Sequence, residues 1–206
     1  MQTQAMRRTI AAAATQEQQT HQLASGLEGL ARRQGRLGQV NIPGTVDFVR
    51  QYIEHVPVLL EATETAARQA GVLQQITPLL DAAEHYWFTS QDVIPDHLGL
   101  AGLSDDAYVT LSLIQAISAL YAQQTGRPLL SLDLTEANRI ARWLIGEPVA
   151  TQLDLIVAQA LQGPLIQQVL AMLPALGSTL PTPDPIWGNA SIDEIVNTRL
   201  AAMGVV

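Results

Sequence analysis

With 206 residues, 48% of them apolar and only 15% charged, the chain is no disordered tract and is long enough to bury one sizeable core. The absence of cysteine excludes disulfides, zinc–thiolate sites and thiol nucleophiles. A formal net charge of −8 argues against nucleic acid as a partner, because the phosphate backbone would be repelled.

The charge is unevenly spread. Residues 1–38 carry five arginines against two carboxylates, and the remainder carries six against seventeen, so a basic arm precedes an acidic body. The arm can dock on that body, on a second copy of the chain, or on an anionic partner. Its opening, MQTQAMRRTIAAAATQEQQ, has too short an apolar stretch for a signal peptide, which makes the cytoplasm the expected location. All eleven cations are arginine; lineage bias is the simpler account of the missing lysine, and selection against conjugable amines the sharper one.

Taken in chain order, residues 3–37 predict a helix, with Leu23, Leu27, Leu30 and Leu37 at roughly helical spacing. Gly26, Gly29, Gly35 and Gly38 weaken it by up to about 1 kcal/mol each, so it needs a surface to lie on. Leu23, Leu27 and Leu30 with Arg32, Arg33 and Arg36 are the candidate partner-binding residues. GQVNIPGT, residues 38–45, predicts a linker and separates the arm, 1–38, from a helical domain, 39–206.

From Thr45 the pattern is helix after helix. Val46, Val49, Ile53 and Val56 share one face, and Pro57 is expected to open a second helix that Gly71 closes. Thr77 and Pro78 are expected to begin PLLDAAEHYWF, and Ser104 to cap a long central helix from Asp105 to about Gln124. No charge occurs between Ala107 and Gly126. Asp133 with Glu136, and Ser191 with Glu194, have capping-box spacing and predict two further helices. The uncharged run 155–183 is broken by Gly163, Pro164 and Pro174 and studded with glutamine, so it reads as two buried helices and integral membrane insertion is not expected. LPTPDPIWG, residues 180–188, should cross the surface extended. PLLSLDL, the one strand-like run, is too short to support a sheet. The fold class is therefore all-α: a single helical-bundle domain of seven to nine helices with an N-terminal basic helical arm.

The chemistry-bearing stretch is DVIPDHLGLAGLSDD, residues 92–106, which holds four carboxylates and a histidine. One reading is structural: Asp92 and Ser104 cap, while Asp105 and Asp106 meet the free amides and positive dipole end of a helix, worth roughly 0.3–1 kcal/mol each. The other brings Asp92, Asp96, His97, Asp105 and Asp106 around a hard divalent cation, magnesium, calcium or manganese. Glu84 and His85 lie within a turn of the cluster; His21 and His55 are expected to face solvent, and Trp87, Trp143 and Trp187 to pack at the core or its edge. No nucleophile elbow, histidine-pair zinc motif, calcium loop or phosphate-cradling glycine loop is present.

The segment FTSQDVIPDHLGLAGLSDDAYVTLSLIQAI, with DAAEHYWF before it, resembles the YkvA-like family of unknown function over roughly residues 81–121. By that resemblance Asp92, Ile94, Pro95, Asp96, Gly102, Asp105 and Asp106 are its motif positions, and they imply a helical hairpin without implying a reaction. The sequence favours a non-catalytic scaffold or adaptor acting on a protein partner or as a homo-oligomer, with no cofactor. A metal-dependent enzyme or metal-binding module is the alternative, and peripheral membrane association through the arginines is a weaker third.

Overall fold

The computed structural model describes residues 2–33, 35, 38–89 and 93–162, the side chain of Asp96 excepted. Residues 163–183 of the 155–183 run, the 180–188 segment, Trp187 and the Ser191–Glu194 pair lie outside the described residues. Among the described residues there are seven α-helices and no strand. None of these helices is long and apolar enough to cross a membrane.

The first thirty residues form two helices where the spacing predicted one. α1 (Thr3–Thr20) ends at His21, which takes the left-handed conformation at φ 50°, and α2 (Gln22–Arg33) follows at once. Glu17 stabilises the reversal: its own carbonyl accepts the His21 N–H at 2.8 Å, and its carboxylate accepts the N–H groups of Leu23 at 2.8 Å and Ala24 at 3.1 Å. A carboxylate from the preceding helix thus satisfies two of the free amides that begin α2. Met6, Ile10 and Ala13 of α1 belong to the same buried core as the later helices. The arm segment is therefore packed into the body along α1, where Arg7 also pairs with Glu61 at 2.7 Å. The Thr3 hydroxyl and the Arg7 guanidinium hold the Glu61 carboxyl below its usual range.

The expected linker is shorter than residues 38–45. Asn41 caps α3 (Ile42–Gln69), accepting the Gly44 N–H at 3.0 Å, and Pro43 occupies the first turn, where a missing N–H costs nothing. A Cβ at Gly44 would lie 2.7 Å from the Asn41 side chain, so glycine permits the cap. Pro57 does not open a new helix; it sits buried inside α3. An internal proline costs about 3 kcal/mol. Burial of Tyr52, Ile53 and Val56 before it and Leu59, Leu60 and Ala66 after it outweighs that cost. α4 (Leu73–Trp87) likewise begins five residues before Pro78 and runs through it.

α5 (Leu103–Thr125) is the central helix that the uncharged run predicts: it packs on α3, α4, α6 and α7, and no side of it needs charge. Its start corrects the expected cap. Ser104 lies in the first turn and donates to the Ala101 carbonyl at 2.6 Å, accepting no amide. Gly126, at φ 79°, ends α5. PLLSLDL is irregular, and Ser118 meets the backbone of its buried Leu130, accepting from the N–H at 3.1 Å and donating to the carbonyl at 3.3 Å. α6 (Thr135–Ile145) corrects the capping box: Asp133 accepts the Thr135 N–H at 2.8 Å, but Glu136 turns to Arg139 at 2.8 Å. α7 (Val149–Gln162) takes the start of the 155–183 run and is buried on one side only, with Leu153 fully covered and Leu155 57% exposed.

Two polar chains fix the helices against one another. The buried Tyr52 hydroxyl donates to Asn138 at 2.7 Å, and the Asn138 amide donates to Gln115 at 2.9 Å, tying α3 to α6 and α5. Tyr108 donates to Asp154 at 2.6 Å, and Arg142 grips the other oxygen of Asp154 at 2.9 Å, tying α5, α7 and α6. Each pairing lets a polar group enter the interior without losing a hydrogen bond.

Candidate functional site

The acidic turn before α5 is held at both of its described ends. Asp105 and Asp106 occupy the first turn of α5 and are fully buried, at 0% exposure. Burying a carboxylate is costly unless donors or positive potential meet it. Asp105 Oδ2 accepts the Ile94 N–H at 3.0 Å, across the turn, and the positive end of the helix dipole lies beside both. Pro95 has no N–H, so Ile94 supplies the amide that pins this side of the turn.

A short 3-10 turn, Asp96–Leu98, follows. His97 is exposed, and its carbonyl accepts from the Gln16 amide of α1 at 3.1 Å. Gly99 continues the chain at φ 64°, and a Cβ there would stand 3.3 Å from the Gln16 side chain. Of the five metal candidates, the structure thus brings Asp105 and Asp106 together in the interior and places the His97 ring at the surface. Asp92 and the side chain of Asp96 lie outside the described residues. Among the described residues, no three histidine or carboxylate side chains form a group that could hold a metal ion. Glu84 accepts the backbone N–H of Gln2, and His85 is exposed.

The partner-binding candidates divide by face. Leu27 is buried and Leu23 half-buried against the core; both border an apolar cavity of about 120 Å3 that also touches Phe48, Tyr52, Ile94 and Leu144. Leu30 is half-buried, Arg32 and Arg33 are exposed at the end of α2, and Arg36 lies outside the described residues. Of the other histidines expected at the surface, His21 is exposed and His55 half-buried; Trp87 is core and Trp143 is 37% exposed.

A larger concavity was not legible in the sequence. Between α1, α2 and the start of α3 lies an open groove of about 470 Å3, within the range of roughly 300–1,000 Å3 that ligand clefts occupy. Its apolar wall is Ala14, Ala24, Ile42, Pro43, Val46 and Leu100. Among the described residues its charged lining is Glu17, Glu28, Asp47 and Arg50. Arg50 is matched twice over, by Asp47 and by Glu54 at 2.9 Å, and these neighbours raise its pKa, Asp47 first. Glu28 is exposed and forms no ion pair among the described residues. An apolar wall with carboxylates among its lining can seat an apolar body and orient a cation beside it. The spacing of residues from three helices gives no linear signal for such a groove; the local hints are the helix end at His21 and the helix start at Asn41–Pro43, which bound α2.

No family model, no curated protein and no solved structure matches this chain.

Proposed function

We propose that the protein is a non-catalytic helical adaptor that acts through protein–protein contact, and that the groove between α1, α2 and α3 is where the contact is made. The observation that carries this reading is the 470 Å3 concavity with an apolar wall, formed in part by the basic N-terminal segment. Deleting residues 1–38 would not test it, because Met6 and Ile10 would leave the core with them. Filling the groove does. Ala24→Trp places an indole in it from a half-buried position. Crosslinking in the native cell should recover a partner with the unaltered chain and lose it with this variant at unchanged melting temperature; equal recovery from both counts against the groove.

A second reading, a divalent-cation module at Asp92, Asp96, Asp105 and Asp106, is favoured by one observation: two adjacent carboxylates are fully buried at the turn that carries the other two. Such a cation would bind the native state and stabilise it by about 2.7 kcal/mol at a hundredfold excess over Kd. A melting scan with magnesium, calcium, manganese and chelator separates the readings; no shift under any of them removes the metal. The resemblance to the YkvA-like family bears on neither, since that family has no established activity.

A further inference from the structure

We infer that the groove is selective for a cationic side chain, arginine or lysine, carried on an apolar segment of the partner protein. The inference rests on the adaptor reading and adds the chemistry of the occupant. Three features lead to it. The wall that Ala24, Ile42, Pro43 and Val46 present is apolar, so the occupant needs apolar side chains to cover it. Among the described lining residues three carboxylates stand against one arginine, Arg50, which is already engaged by Asp47 and Glu54. Glu28, exposed on the α2 side, makes no ion pair within the described chain and is the group that an incoming guanidinium or ammonium would meet. A negative partner residue would meet Glu28, which no described cation pairs, and that like-charge contact disfavours acidic segments.

Glu17 is a different case. Its carboxylate is 6% exposed and both oxygens already accept amides of α2, so it shapes the groove and sets its field more than it contacts the occupant. The body behind the groove is acidic as well, with six arginines against seventeen carboxylates beyond residue 38, which draws cationic partners towards it over distances of about a Debye length. That general attraction is a competing explanation for any binding seen, so the test must separate a site from a field.

The test uses the full chain and a short fluorescein-labelled peptide of alternating leucine and arginine, its glutamine-for-arginine counterpart, and octylammonium as a free amine. The expected result is that the arginine peptide binds by fluorescence anisotropy and the glutamine peptide binds about tenfold more weakly or worse. Glu28→Gln should weaken the arginine peptide severalfold and leave the glutamine peptide alone, Ala24→Trp should abolish both, and Asp81→Asn, an exposed carboxylate on α4, should change neither. Equal affinity for the two peptides overturns the cation selectivity and leaves groove docking standing. If Asp81→Asn weakens binding as much as Glu28→Gln, the attraction is the field of the acidic body and the site is overturned. Octylammonium binding that Ala24→Trp abolishes, with no peptide bound, assigns the groove to a free amine and overturns the protein source. If no probe binds, the occupant assignment fails, and the crosslinking result with Ala24→Trp still decides the adaptor reading separately.

Discussion

Glu17 illustrates what one side chain can do when it works across a chain reversal. It is buried, and its two carboxylate oxygens take the amides of Leu23 and Ala24, six and seven residues ahead. Charge-assisted bonds of this kind are worth about 1.5–3 kcal/mol together with the cost of leaving the amides bare. Glu17→Ala should therefore lower stability by about 2 kcal/mol, read as a shift of the urea midpoint at constant slope, and Glu17→Gln, which keeps one acceptor, by less. An unchanged midpoint for the alanine variant would show that water replaces the carboxylate at no cost. Cap reading from sequence looks for an acceptor within about three residues of the amides it serves, and so it found Asp105 and Asp106 in the first turn of α5 but passed over Glu17. It also gave Ser104 a role that the Gly99–Gly102 turn hands to the backbone, because Ser104 falls inside the helix it was expected to precede.

At the scale of the helix, the uncharged run was the dependable signal, leucine spacing missed the reversal at His21, and proline misled. The uncharged stretch after Asp106 marks α5 as central because a helix packed on four others over most of its length can do without charge. Pro57 and Pro78 look like helix starts by local rules, yet burial on both flanks carries α3 and α4 through them. The local penalty remains in the folded state, and it can be recovered. At Pro78, which is only half-buried, the interior-proline cost of about 3 kcal/mol exceeds the roughly 1 kcal/mol of packing lost with the ring plus about 0.4–1 kcal/mol of added freedom in the unfolded chain. Pro78→Ala should thus raise stability by about 1 kcal/mol, seen as a higher melting temperature by circular dichroism. A drop would mean that the ring's contacts with its neighbours matter more than the missing hydrogen bond.

Across the whole molecule, the two tyrosine chains make the fold sensitive to alkali. Burial, then the hydrogen bond to Asp154, pushes Tyr108 from its ordinary 10.0 up to about 12, and burial raises Tyr52 well above its ordinary value. Both groups favour the protonated form in the folded state. The unfolded chain therefore releases these protons at lower pH than the native one, and stability falls as pH rises past 10. The denaturant midpoint should be level below about pH 10 and decline from there to about pH 12, and Tyr108→Phe should flatten the decline while lowering the plateau. The all-helical class was legible from composition and periodicity. The groove was not, since its carboxylates come from three helices whose relative placement depends on backbone reversals, at His21 between α1 and α2 and at Gly35 and Gly38 before the cap at Asn41.

Gln16 and Glu17 are consecutive residues, and they hold opposite neighbours: Gln16 grips the carbonyl of His97, Glu17 the first amides of α2. Each side chain rotates about its own bonds, but both are anchored on the same turn of α1. A displacement of that turn would loosen the grip on α2 and on the acidic loop at the same time, whereas replacing one side chain leaves the other its partner.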